Sequence, residues 1–130
     1  MIIIPAHISR EFIEAHPQWN FVYPTNFWQT QRVGPALICA GLPNCFGVPV
    51  RWTLCKSSGY FQDAQFDQLK TQIDLDIAEI PRDKPIVLFP KIGCGNSRMH
   101  ILAPKTYLYL HEELAKIAAE VVYDYTNTTT

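Results

Sequence analysis

No run of this sequence approaches the roughly 20 apolar residues that a membrane-spanning helix needs. The start, Met1-Ile2-Ile3-Ile4-Pro5, lacks the basic segment of a secretory signal, so the expectation is a cytoplasmic protein, in host cytoplasm if the source is viral. There is no basic excess either. Eleven Lys and Arg stand against 12 Asp and Glu, for a net charge of −1, which disfavours binding to a nucleic-acid polymer. The four cysteines (Cys39, Cys45, Cys55, Cys94) show no CxxC spacing and read as reduced thiols. The histidines (His7, His16, His100, His111) form no HExxH or similar pair, so no metal and no cofactor is expected. Charged residues make up only 18%, and apolar residues 48%, which excludes a disordered chain.

What is present is enough for one domain. A chain of 130 residues buries about two thirds of its unfolded surface. The expected organisation is a single domain over 1–125 with a polar tail, 126–130. Ten prolines punctuate it and help to locate the elements. Ile2 to Ile4 read as a strand. Ser9 is placed to cap a short helix that stops before Pro17. Asn20 to Tyr23 read as a strand ending at Pro24, followed by a loop to Arg32. Pro35 opens a short helix and Gly41 closes it. Phe46 to Trp52, interrupted by Pro49, reads as an edge strand.

Asp63 is a candidate N-cap. Phe66, Leu69, Ile73, Ile77 and Ile80 then recur at helical spacing until Pro81. Ile86 to Phe89, an apolar run between prolines, reads as a strand buried on both faces. A glycine loop follows, and then a helix from Pro104 with Tyr107, Leu110, Leu114, Ile117 and Val121 on one face. Val121 to Tyr123 can turn into a last strand. Alternating strands and helices predict an α/β fold with a parallel or mixed sheet, whose ligands bind beyond the carboxyl ends of the strands.

Two loops stand in that position. In Gly93-Cys94-Gly95-Asn96, glycines permit close approach of a ligand, and successive amides can form an anion nest. The alternative is an ordinary tight turn. Neither the GxxxxGK[ST] nor the GxGxxG pattern is present. In the other loop, Asn26 can bond a sugar hydroxyl and Arg32 can fork onto a phosphate, or they form an Asx-turn and a solvated charge. Gly34 closes that loop. Phe27 and Trp28 can stack on a base or enter the core, and Asn44 can face the pocket. Tyr60 and Phe61 can lie over a ligand or staple the following helix. Cys94 sits between two glycines but has no matched histidine, so catalytic residues are unassigned.

Four segments carry a resemblance. Phe21-Val22-Tyr23-Pro24-Thr25-Asn26, Gln31-Arg32-Val33-Gly34-Pro35-Ala36, the stretch Pro43 to Arg51, and Ile92-Gly93-Cys94-Gly95-Asn96-Ser97-Arg98 with Ile101-Leu102-Ala103-Pro104 occur in one order. That order resembles the macrodomain-like proteins of bacteria and phages, whose usual strings are FVFGSN, HGAGAA, GNSYAIPTK and IGCGLAGY. The resemblance implies a three-layer α/β/α macrodomain-like fold with a mixed central sheet, and binding of ADP-ribose or a related nucleotide. It implies Asn26 near a ribose, Gly34 in a substrate loop, and Gly93, Cys94 and Gly95 at a diphosphate.

The departures are Pro24 for a glycine, Gln31-Arg32 for His-Gly and Pro35 for a small residue, which weaken hydrolysis more than binding. The expected function is therefore binding of a small nucleotide-type ligand at Asn26, Arg32, Gly34, Asn44, Gly93, Cys94, Gly95 and Asn96. Alternatives are a phage counter-defence protein that sequesters a nucleotide signal or blocks a host protein, an ADP-ribosyl or nucleotide hydrolase, and a bare interaction module. A homodimer or a host-protein partner is compatible with the many aromatic residues.

Overall fold

The computed structural model describes residues 2–27, 34–53, 59–95 and 97–126. Arg32 and Asn96, together with Trp28, Cys55 and all of the expected tail except Thr126, lie outside the described residues. The elements run β1 (Ile2–Pro5), α1 (Arg10–Glu14), β2 (Asn20–Asn26), α2 (Pro35–Ile38), β3 (Cys45–Arg51), α3 (Phe66–Ala78), β4 (Ile86–Leu88), α4 (Met99–Leu102), α5 (Pro104–Ala115) and β5 (Val121–Asp124). The α/β expectation holds at this level. No helix among the described residues is long and apolar enough to cross a membrane.

β3, β2 and β4 form one sheet with β2 in the middle, and β1 pairs with β5. All three of these pairings are parallel. A mixed sheet was expected; among the described residues the antiparallel pairing is an isolated bridge between Arg51 and Tyr60. The Ala119 amide donates to the Ile86 carbonyl at 2.8 Å, and the Tyr123 hydroxyl donates to the Leu88 carbonyl. These bonds bring the chain around β5 against the outer edge of β4.

β2 runs on through Pro24 to Asn26 instead of stopping, for a reason visible in the ladder. Asn20 donates to Pro85 and Val22 accepts from Phe89, so the even-numbered residues of β2 face β4. The donor that Pro24 lacks falls on that same side, one step past the end of β4, where no ladder bond is lost. Pro49 follows the same logic in β3. Asn44 gives its carbonyl to Phe21, so by alternation Pro49 turns to the open edge.

The core gathers Phe21, Val22, Leu69, Ile73, Leu110 and Leu114, all fully buried. α3 packs against α5 and β3. Ser9 caps α1 by accepting the Phe12 amide at 3.1 Å, as its sequence position suggests. Asp63 does not cap its own helix. A 3-10 turn (Asp63–Gln65) precedes α3, and Asp63 points to α5 instead. α5 ends at Ala115, so Ile117 and Val121 lie beyond it: Lys116 and Ile117 form a turn before β5. The short helix α4 has no periodic signal, because four residues show less than two turns.

Candidate functional site

Three parallel strands end at the same side of their sheet. β2 delivers Thr25 and Asn26 there, β3 delivers Val50 and Arg51, and the chain leaving β4 supplies Pro90 and Lys91. Between them and the start of α2 opens a cleft of about 870 Å³, within the range of small-molecule sites. Its far wall is the glycine loop, through Gly93, Gly95, Ser97 and Arg98.

The cleft is electrostatically one-sided. Arg51, Lys91 and Arg98 line it, and among the described lining residues there is no carboxylate and no histidine. The chain as a whole has slightly more acids than bases, so this local excess is a property of the site. A cleft lined by one sign of charge focuses field on its ligand. Such a cleft attracts an anion.

Arg51 is 6% exposed. Its Nε donates to the Thr53 carbonyl at 2.6 Å, and its guanidinium carbon lies 4.6 Å from the centre of the Tyr60 ring. That stack is favourable for a planar cation over a π face. Arg51 is the register partner of Asn26, immediately after an irregularity between Thr25 and Asn26. Such irregularities re-aim side chains next to binding sites.

The glycine loop is shaped by three left-handed residues: Lys91 (φ 60°), Gly93 (φ 82°) and Arg98 (φ 51°). At Gly93 the conformation requires glycine twice over, because a Cβ would also meet the Tyr107 ring at 3.1 Å. Gly95 differs. Its backbone suits any residue, and a Cβ would meet nothing within 4 Å. Its missing side chain keeps the cleft open.

Behind the loop, His111 Nε2 donates to the Ile92 carbonyl at 2.7 Å and His100 Nδ1 to the Gly93 carbonyl at 3.2 Å. Side chains from two helices, α4 and α5, thus hold carbonyls of the loop. The anion nest expected of the loop is only partly available. The Cys94 amide bonds the Lys91 carbonyl at 2.9 Å, and the Arg98 amide bonds Gly95 at 3.1 Å. Side-chain cations, Lys91 and Arg98, stand at the two ends of the loop and line the cleft.

Of the residues singled out by sequence, Asn26, Gly34, Gly93 and Gly95 come together in the cleft. Tyr60 joins them, while its neighbour Phe61 is fully buried and packs edge-on against Trp52. Phe27 also packs against Trp52, at 4.9 Å between ring centres, and belongs to the core side. Cys94 turns from the cleft to α5, with its sulfur 3.0 Å from the Tyr107 hydroxyl. That hydrogen bond, with burial second, pushes the Tyr107 hydroxyl above its ordinary pKa.

The expectation for Asn44 is corrected. It precedes β3 at the opposite end of the sheet, where its amide donates to the carbonyls of His16 at 3.3 Å and Trp19 at 3.1 Å. Those bonds close the turn after α1. Sequence reasoning missed the roles of Arg51, Lys91 and Arg98. The available signal was position: one basic residue at the end of a strand, and two flanking a glycine loop. Cys39, Cys45 and Cys94 are free thiols. No three metal-binding side chains converge among the described residues.

No curated protein and no solved structure matches the chain. Residues 3–113 do match a family of unknown function, designated DUF7831. That match spans β1 to most of α5, far more than half of the sequence, and the chain therefore belongs to this family of unknown function.

Proposed function

We propose that the cleft binds a small nucleotide-type ligand, ADP-ribose or a related signalling nucleotide, and holds it without cleaving it. One observation carries this reading: Arg51, Lys91 and Arg98 surround a cleft of about 870 Å³ whose described lining has no carboxylate and no histidine. Three cations attract phosphates through charge-assisted hydrogen bonds. A water-activating general base is missing from that lining, and general-base hydrolysis needs one within hydrogen-bond reach of the attacking water. Retention without turnover is what a protein that sequesters a signal requires.

The resemblance to macrodomain-like proteins supports the same reading. All four segments that carry it reach this cleft, through Asn26, Gly34, Arg51 and Gly93. We extend the α/β description accordingly to a three-layer macrodomain-like arrangement, with Asn26 toward a ribose.

The test is calorimetry of the full chain with ADP-ribose, NAD, cyclic ADP-ribose and cyclic dinucleotides, followed by chromatography of the recovered ligand. Binding with intact recovery is expected. Silence with all of them sinks the nucleotide reading, and conversion to product makes the protein a hydrolase instead.

A further inference from the structure

Resting on the nucleotide reading of the cleft, and narrowing it from ADP-ribose to a related nucleotide, we infer that its ligand carries two phosphate groups set apart by a ribose, rather than a contiguous diphosphate. The argument is the order of charges across the sheet. Arg51 ends β3, Asn26 ends β2, and Lys91 and Arg98 belong to the loop that follows β4. The strand order is β3-β2-β4. Neighbouring strands lie about 4.8 Å apart, so the two basic positions are rooted about 10 Å from each other, with a neutral amide between them.

Arg51 is held on its own side. Its Nε is bonded to the Thr53 carbonyl at 2.6 Å, its guanidinium is stacked on Tyr60, and its side chain is buried at 6% exposure. Swinging it across Asn26 would break both contacts. Lys91 and Arg98 are exposed and rise from left-handed residues at the two ends of the loop. No carboxylate among the described lining residues neutralises either side.

The two phosphorus atoms of a diphosphate share one bridging oxygen, so its charges lie together. Such a group satisfies Arg51 or the loop, and leaves the other side facing no anion. A nucleoside with phosphates on O2′ and O5′ of its ribose and a free 3′-hydroxyl between them presents charge, hydroxyl and charge in the order that Arg51, Asn26 and the loop present theirs. Electrostatic complementarity of this kind selects among ligands with the same number of phosphates.

The matched probes are ADP and adenosine 2′,5′-bisphosphate, which have the same base, sugar and number of phosphates. Calorimetry should find the bisphosphate at least tenfold tighter. The double variant Lys91→Asn/Arg98→Asn keeps residues that tolerate the left-handed conformation. It should weaken the bisphosphate at least tenfold and erase its advantage over ADP, with the melting transition intact. Arg51→Gln should erase it from the other side, and where that variant does not fold the loop variant decides alone. ADP binding as tightly as the bisphosphate overturns the inference and leaves the nucleotide reading standing, as does an advantage that survives the double variant. Silence with both probes, and with the wider nucleotide screen, overturns both.

Discussion

The carboxylate of Asp63 accepts the backbone N–H of Thr106 at 3.2 Å, 43 residues further along the chain. It also accepts the Lys105 amide at 3.2 Å and the Thr106 hydroxyl at 3.3 Å. α5 starts with Pro104, and its own cap residue, Ala103, has no side chain to offer. The first amides of a helix need partners, and an anion there also meets the positive end of the helix dipole. Asp63 supplies both from another part of the fold. It follows Tyr60 of one cleft wall closely in sequence, and α5 follows the glycine loop of the other. One carboxylate ties the two walls together from behind.

Asp63→Ala should therefore destabilise the domain by about 1–2 kcal/mol, the range for a lost helix cap. Thr106 is fully buried, and Thr106→Val should cost less, because the backbone N–H bond survives. In a double-mutant cycle the two should be non-additive, since they share one network. Urea denaturation measures this; an Asp63→Ala variant as stable as the parent removes the cap from the account.

The two glycines of the loop should separate fold from binding. Gly93→Ala adds a Cβ against the Tyr107 ring and forces a non-glycine residue to φ 82°, and each unfavourable backbone conformation of this kind costs about 1–3 kcal/mol. Gly95→Val meets no protein atom within 4 Å but fills the cleft with its side chain. The first variant should melt several degrees lower. The second should melt close to the parent and lose nucleotide binding. Binding retained at parental affinity in Gly95→Val would falsify its place in the pocket.

Asp76 lies in the last turn of α3, where the helix dipole disfavours a negative charge. Burial pushes its carboxyl above the ordinary carboxylate range, against the opposing pull of the hydrogen bond from Gln72. A carboxyl whose folded pKa is raised binds its proton more tightly in the fold. Its charge then burdens the fold above the folded pKa, and that burden disappears below the unfolded one. Asp76→Asn should raise the melting temperature near neutral pH, and the gain should vanish as pH falls below the ordinary carboxylate range. A gain of equal size at pH 3 and pH 7 would mean that charge is not the cause.

The sequence made much of the fold legible because its periodic segments are long enough to show their period. Leu69, Ile73 and Ile77 marked α3, and the proline-bounded run at Ile86 to Phe89 marked β4. The continuation of β2 through Pro24 was hidden, because it depends on where the neighbouring strand stops. Asp63 looked like a local cap, since nothing nearby in sequence reveals that α5 lacks one. The cleft was half legible. Glycines at strand ends announce a site through local chain geometry. Which cations face it depends on how strands and loops are brought side by side, and Arg51 meets Asn26 only through the pairing of β2 with β3.

The cations of the cleft should differ in their response to salt. Lys91 and Arg98 are exposed, whereas Arg51 is buried. Salt at physiological strength screens exposed charges beyond about 8 Å and buried ones much less. Each charge-assisted contact to a phosphate is worth about 1.5–3 kcal/mol, or roughly 10- to 100-fold in affinity. With the tightest nucleotide of the screen, Lys91→Asn/Arg98→Asn should weaken binding most at low salt and flatten its salt dependence. Arg51→Gln should weaken binding by a similar factor at low and high salt and leave the slope near that of the parent. Calorimetry at 20 mM and 500 mM NaCl, on variants shown to melt cooperatively, separates the two. If the Arg51 variant loses the salt dependence and the loop variant keeps it, the buried arginine is the steering charge and the assignment of the two walls is reversed.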